Sequence, residues 1–187
     1  INSGDVVVSN YYSDSAMLLD SDGNFKAMLY NVDNNLEQVV GVNWNPLTKE
    51  VILSINGAPD RIMAISAIDG TVREAVRNTL LNGNTFGVAV DAQGNYLAVE
   101  TSNIEKFTAN GSRINNGTFP AMGIQTSGTQ INALQGGGFV LCSYGTDRVR
   151  IYDDDAEFYG NRLRDTHDLF HVLTGYGRDQ LGETSVL

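Results

Sequence analysis

The feature that most constrains the fold is a short apolar segment that recurs four times along the chain. The four copies begin at Val6, Val51, Tyr96 and Phe139, so they are spaced by 45, 45 and 43 residues. Their β-branched and aromatic residues favour extended strands. A period of this length is typical of small sheets that stack side by side, because one sheet cannot bury both of its apolar faces alone.

Other predicted strands complete each repeat. A second strand follows every apolar segment, at residues 15–19, 61–65, 104–107 and 148–152. A tight turn comes next, marked by Asp22-Gly23, Asp69-Gly70 and Asn110-Gly111, and in degenerate form by residues 155–157. Asp-Gly and Asn-Gly supply the positive φ that hairpin turns require. A further strand precedes three of the four segments, at residues 39–44, 86–90 and 130–134, and the first unit lacks it.

This unit of four strands in about 45 residues is similar to the blades of bacterial β-propellers of the NHL-like or lactonase-like type. The resemblance implies an all-β propeller over residues 1–158 with about four blades. They would form a small ring, or part of a larger ring that further sequence or self-association completes. Only residues 72–81 have local helical character, and the repeat predicts a strand there.

The net charge, the single cysteine and the single tryptophan limit the possible partners and the expected core. The net charge of −10 argues against nucleic acid or an anionic membrane surface as an electrostatic partner. Cys142 is the single cysteine, and its apolar surroundings predict a small buried hydrophobe. Trp44 is the single tryptophan, and we expect it in the core of a blade.

Polar residues recur at the end of the loop that joins the second and third strands of each unit. They are Asp14, Asp60, Asn103 and Asp147. In propellers these loops lie on one rim, where four oxygen acceptors would bind a cation, a sugar or a protein partner. Alternatively, Asp and Asn bond to their own backbone and shape the turn, which is their more common role.

A different pattern begins after the repeats, and residues 159–187 are predicted to be helical. Phe158, Leu163, Phe170 and Leu173 follow helical rather than strand spacing. His167 and His171 are four residues apart, so both imidazoles leave the same face of a helix one turn apart. That spacing suits one transition-metal ion.

The longer string His167-Asp168-x-x-His171, eleven residues and then Glu183 resembles the metal motif of the coenzyme Q (ubiquinone) biosynthesis scaffold protein family. The resemblance implies His167, Asp168, His171 and Glu183 as ligands of zinc or a similar divalent ion. It also implies a peripheral position on a membrane and a polyprenyl quinone precursor as substrate.

Three interpretations of the whole chain are therefore left open. The first is a propeller that serves as a binding or scaffold module for a protein or small-molecule ligand. The second is a metal-dependent protein of ubiquinone biosynthesis, so enzymatic activity is an open question. The third is a chain composed of two joined fragments, because two unrelated resemblances meet near Glu157. A secreted or periplasmic location and a peripheral membrane location both fit the sequence.

Overall fold

The computed structural model describes residues 1–31, 37–81, 83–101, 103–119, 130–134, 138–143 and 148–152. These residues form fourteen strands and one short 3₁₀ turn, at Asn78–Leu80. The strands are β1 (Val6–Asn10), β2 (Ser15–Leu19), β3 (Phe25–Asn31), β4 (Glu37–Asn45), β5 (Glu50–Gly57), β6 (Arg61–Ser66), β7 (Val72–Val76), β8 (Gly87–Val90), β9 (Tyr96–Val99), β10 (Ile104–Phe107), β11 (Arg113–Phe119), β12 (Gln130–Ala133), β13 (Phe139–Ser143) and β14 (Arg148–Tyr152).

The strands build four antiparallel sheets in chain order. Sheet I is β1-β2-β3, sheet II is β4-β5-β6-β7, sheet III is β8-β9-β10-β11 and sheet IV is β12-β13-β14. The four recurring apolar segments lie in β1, β5, β9 and β13, so the predicted repeat is confirmed. The segment with local helical character is strand β7 followed by the 3₁₀ turn. The predicted helix at residues 159–187 and the proposed boundary near residue 158 lie outside the described residues.

Neighbouring sheets bury each other's apolar faces, and strand β5 shows how. Val51, Leu53 and Ile55 point towards sheet I and pack with Ala16 and Tyr30. The intervening Ile52 points the other way and packs in the cluster that joins sheets II and III. A strand that is apolar on both sides therefore needs a sheet on each side.

The innermost strands of sheets II and III approach each other closely. A Cβ built on Gly41 of β4 would lie 2.5 Å from the Ser54 hydroxyl oxygen and 3.2 Å from the Gly87 Cα of β8. Because Gly41 has no Cβ, the two inner strands can pack with their backbones in direct contact.

Arginine side chains tie adjacent sheets together. Arg73 of sheet II donates two 2.8 Å bonds to the Glu50 carboxylate, and it also donates to the Tyr96 hydroxyl and the Ala109 carbonyl of sheet III. Arg61 likewise bonds to Glu37 in its own sheet and to the Tyr30 hydroxyl of sheet I. Each guanidinium therefore bridges a carboxylate of its own sheet to an adjacent sheet, which is sheet III for Arg73 and sheet I for Arg61.

Removing the Arg73 guanidinium should weaken the joint between sheets II and III. Its hydrogen bonds hold the pKa of Glu50 below the ordinary value of 4.5. A lowered folded-state pKa stabilises the protein above pH 4.5, and this contribution is lost as the pH falls through the folded-state pKa. We expect Arg73→Met to lower the free energy of unfolding by about 2 kcal/mol at neutral pH, between the values for exposed and buried pairs.

Urea unfolding at pH 7 and at a pH below the Glu50 pKa checks this expectation. The difference between the wild type and Arg73→Met should shrink at the lower pH. Arg77→Met is the matched control, because Arg77 is an exposed arginine beyond the end of the same strand and loses the same charge. Equal effects of the two substitutions would show that the bridge does not stabilise the joint.

Two sequence-based expectations about burial are wrong. Cys142 is exposed rather than buried, because it lies on the side of sheet IV that no described sheet covers. Trp44 is 42% exposed rather than part of a blade core, because no described strand lies over it. Within the described residues, no helix has the length and hydropathy needed to cross a membrane.

Candidate functional site

Three of the four rim residues are described, and two of them make hydrogen bonds to nearby groups of the protein. Asp60 accepts a 2.9 Å hydrogen bond from the Gly57 amide, and its burial raises its pKa. The Asn103 side-chain amide donates to Glu105 at 3.2 Å. Asp14 is buried at a positive φ of 48°. These contacts favour the turn-shaping interpretation, and a ligand site at this rim stays a prediction.

The remaining predicted site residues lie outside the described residues. They are Asp147, His167, Asp168, His171 and Glu183. In the part of the chain that is described, no group of three or more His, Cys, Asp or Glu side chains is placed to hold a metal ion.

The metal motif therefore stays a prediction with a direct test. If the two histidines bind one divalent ion, the purified full chain should retain about one equivalent of zinc after dialysis, and His167→Ala should lose it. Elemental analysis by mass spectrometry measures both proteins. Arg164→Ala, a substitution near the motif that removes no predicted ligand, should keep the metal. Equal metal content in the wild type and His167→Ala would contradict the prediction.

A concave feature among the described residues is a slot between sheets I and II, with a volume of about 480 Å³. We define the slot by its apolar walls, which are Val7 of sheet I and Val42, Trp44 and Val51 of sheet II. Residues near the start of the chain, including Ile1, Asn2 and Asp5, also line it. The slot is thus an apolar groove beside the edge of β1.

The position of the slot is explained by comparison with sheets II and III. Trp44 of β4 pairs with Val51, and Val90 of β8 pairs with Tyr96, so the two occupy equivalent positions in their sheets. Val90 is only 9% exposed, whereas Trp44 is 42% exposed. The inner strand β4 lies against β8 and covers Val90. No described strand of sheet I covers Trp44 in the same way.

The two ends of the stack present apolar sheet faces. The side of sheet I that points away from sheet II forms the first end face, which consists of Val6, Val8, Met17, Leu19, Phe25 and Met28. The side of sheet IV that points away from sheet III forms the last end face, which consists of Val140, Cys142, Val149 and Ile151. Most of these side chains are exposed, and the exposed Gln130 and Asn132 of β12 lie on the same side of sheet IV as the last end face.

Residues equivalent to both end faces are buried inside the stack. Val6 and Val8 correspond to Val51 and Leu53 of sheet II, which pack on sheet I. Val149 and Ile151 correspond to Ile62 and Ala64 of sheet II, which pack against sheet III. Each end face therefore has the composition of a surface that a neighbouring sheet covers.

Sequence reasoning did not find the slot or the end faces, although one signal was present. The first unit lacks the strand that precedes the apolar segment in the other units.

Comparison with known proteins agrees with this geometry. No family model and no curated protein matches the chain. The solved structures that are similar include a nidogen/laminin complex, with a TM-score of 0.62 and 15% identity over 79% of this chain and 56% of that one. Regucalcin from Agrobacterium tumefaciens, a calcium-binding protein, has a TM-score of 0.63 and 14% identity over 84% and 56% of the two chains. A streptogramin B lyase has a TM-score of 0.65 and 15% identity over 84% and 51%.

The fold is that of a β-propeller. At identities of 15% or less the likeness shows the fold alone. The propeller prediction made from the repeats is confirmed, whereas none of these comparisons supports the resemblance to ubiquinone biosynthesis proteins. The chain spans about half of the length of each of these three propellers.

Proposed function

We propose that the chain is a binding and scaffold module that assembles through its end faces, and that its partner is a second copy of the same chain. The observation that carries the proposal is the first end face. It has the residues of a joint between sheets, yet Val8 is 37% exposed where the equivalent Leu53 is 0% exposed. Covering it would remove a large apolar area from water.

The last end face is a suitable counterpart. Inside the stack, Ile62 and Ala64 of sheet II pack against sheet III. Val149 and Ile151 hold the equivalent positions on sheet IV, and would pack against sheet I of a second copy in the same manner. Because the two faces differ, the contact is of the head-to-tail type, and two such contacts close a symmetric pair.

The number of sheets is consistent with this assembly. Each copy contributes four described sheets. The chain covers 51% to 56% of the three propellers compared above, so those propellers contain sheets beyond the part that matches this chain. One of those structures is a complex between two proteins, nidogen and laminin, which supports protein binding as a use of this fold.

Sedimentation equilibrium over a range of protein concentrations tests the proposal. We expect a reversible dimer that is weakened about tenfold or more by Val8→Asp or by Val149→Asp, since each substitution places a charge in an apolar joint. Val72→Asp is the control, because Val72 is also exposed but lies on β7 of sheet II, away from both end faces. Higher salt should strengthen the dimer, because each copy carries a net charge of −10.

Mixing the two variants distinguishes head-to-tail association from other modes. A pair of Val8→Asp and Val149→Asp copies has one joint with both substitutions and one joint with neither. The mixture should therefore associate more tightly than either variant alone. A chain that stays monomeric at all concentrations, or a mixture that does not recover, would contradict the proposal.

A further inference from the structure

The turn between β10 and β11 contains an Asn-Gly pair, Asn110-Gly111, whose surroundings differ from those of the other described pairs. Asn110 is exposed in this turn, whereas Asn56-Gly57 lies at the end of β5 and Asn116-Gly117 lies within β11. Asn56 is half-buried and pairs with Gln38 of β4. A glycine after asparagine leaves its backbone nitrogen accessible, because no Cβ shields it. The exposed turn therefore brings an asparagine amide and an accessible backbone nitrogen together.

Two hydrogen-bond donors of the turn point at the side-chain oxygen of Asn110. The Thr108 hydroxyl bonds to Oδ1 of Asn110, and its other acceptor is the Ser112 carbonyl at 3.3 Å. The Ser112 amide donates both to this Oδ1 at 3.3 Å and to the Thr108 hydroxyl oxygen at 3.1 Å. When a nucleophile adds to the side-chain carbon Cγ, negative charge develops on Oδ1. Donors that already point at this oxygen stabilise the charge, as they do in an oxyanion hole.

The nitrogen that can attack Cγ belongs to Gly111. Its N–H is donated to the Thr108 carbonyl at 2.9 Å, and this bond has to break before the nitrogen reacts. The same kind of restraint acts on Gly57, whose amide donates to the Asp60 carboxylate at 2.9 Å. The two Asn-Gly pairs therefore differ in exposure and in strand pairing. An exposed turn opens at a lower free energy than a paired strand inside a sheet, which favours reaction at Asn110.

We propose that Asn110 is a site of intramolecular deamidation, which the Thr108 hydroxyl and the Ser112 amide promote. The Gly111 nitrogen gives its proton to water and forms a bond to Cγ of Asn110, the bond between Cγ and Nδ2 breaks, and ammonia leaves. Water then opens the resulting succinimide ring at either of its two carbonyl carbons. One product is aspartate, and the other is isoaspartate, in which the main chain runs through the former side-chain carbon. Water is the only co-reactant, and no atom is oxidised or reduced.

The isoaspartate product should weaken the joint between sheets II and III. It lengthens the main chain by a methylene group next to Gly111, where a built Cβ already overlaps the Ala75 carbonyl oxygen of β7. The Ala109 carbonyl, on the other side of Asn110, accepts a 3.2 Å bond from Arg73 of sheet II. A longer main chain between these two contacts displaces at least one of them. Deamidation would therefore act as a slow and irreversible change at this joint.

Peptide mapping by mass spectrometry, after incubation of the full chain at neutral pH, measures deamidation at each asparagine. We expect Asn110 to react about tenfold faster than Asn56, because its turn opens more readily. Thr108→Val removes the hydroxyl but keeps the shape of the side chain, so it should slow the reaction at Asn110 about threefold or more. Thr108→Ser keeps the hydroxyl and should react at the rate of the wild type.

Asn110→Asp separates the new charge from the change in the main chain. It carries the charge of both products but keeps the original chain length. Urea unfolding of this variant and of purified isoaspartate protein should therefore differ, with the isoaspartate protein unfolding at the lower urea concentration. Equal unfolding of the isoaspartate protein and the wild type would contradict the effect on the joint.

Two results of the mapping experiment would overturn the proposal. The first is an equal or lower rate at Asn110 than at Asn56. The second is an unchanged or faster reaction in Thr108→Val, which would show that the hydroxyl keeps the turn closed and does not assist the attack. Both rates are measured within one chain in dilute solution, so they do not depend on self-association through the end faces.

Discussion

Replacing Leu53 by alanine should lower the free energy of unfolding by about 3 kcal/mol, as is typical of a buried leucine that leaves a cavity behind. Leu53 is fully buried in the joint between sheets I and II, where it packs in one cluster with Val51, Ile55 and Ala16. Packing on both sides leaves little room for the surrounding residues to close the cavity. Urea denaturation at low protein concentration measures the loss.

Val8→Ala is the matched control, because Val8 holds the same place in the repeat but is 37% exposed. In dilute protein it should cost about 1 kcal/mol or less, since little apolar area is lost. At high concentration its cost should rise if a second copy covers the first end face, while the cost of Leu53→Ala should not. Equal costs of the two substitutions in dilute protein would show that the first end face is already covered.

The repeated elements of the fold could be predicted from the sequence because their causes are local. The apolar segments beginning at Val6, Val51, Tyr96 and Phe139 all became strands at the predicted positions. The predicted turn glycines have positive φ, at 85° for Gly23 and 84° for Gly111. Strand propensity and turn chemistry act over a few residues, so the chain itself displays them.

Burial at the ends of the stack could not be predicted in the same way. Periodicity indicates that Cys142 and Trp44 lie on apolar strands, but it does not show whether a neighbouring sheet covers them. Each was expected in a core and each is exposed. The deciding factor is the sheet next to them, which is a property of the assembly and not of the local sequence.

The arginine bridges were missed for a related reason. Arg73 and Glu50 are separated by 23 residues, and the Tyr96 hydroxyl that also accepts from Arg73 lies 23 residues further on. Arg61 makes a similar bridge from a different strand of sheet II. Arginine bridges of this kind recur between adjacent sheets, but no fixed spacing in the sequence indicates them.

The rim residues illustrate the opposite difficulty, in which a visible pattern has two physical causes. Asp60 recurs at a fixed place in the repeat and was a candidate ligand, yet its carboxylate accepts a bond from the Gly57 amide within the same loop. Any loop of this shape needs an acceptor there, so recurrence alone does not indicate a ligand.

Among the turns, Gly111 should be the least tolerant of a side chain. It lies between β10 and β11 at a φ of 84°, where residues other than glycine are strained. A Cβ built there would also overlap the Ala75 carbonyl oxygen of sheet II. We expect Gly111→Ala to lower the free energy of unfolding by about 3 kcal/mol, since overpacking adds about 1–3 kcal/mol to the backbone strain.

Gly23→Ala separates the two contributions, because Gly23 has nearly the same φ of 85° but nothing lies within 4 Å of the built Cβ. It should cost about 1 kcal/mol, which is the backbone strain alone. Thermal and urea unfolding of both variants measure the difference between their losses of unfolding free energy. This difference reports how closely the turn between β10 and β11 packs against sheet II. The turn at Gly111 belongs to sheet III, whereas the Ala75 carbonyl belongs to sheet II. Equal losses of unfolding free energy in the two variants would therefore mean that the two sheets separate there at little cost in free energy. The stacking that defines both end faces and the slot would then be looser than the geometry indicates.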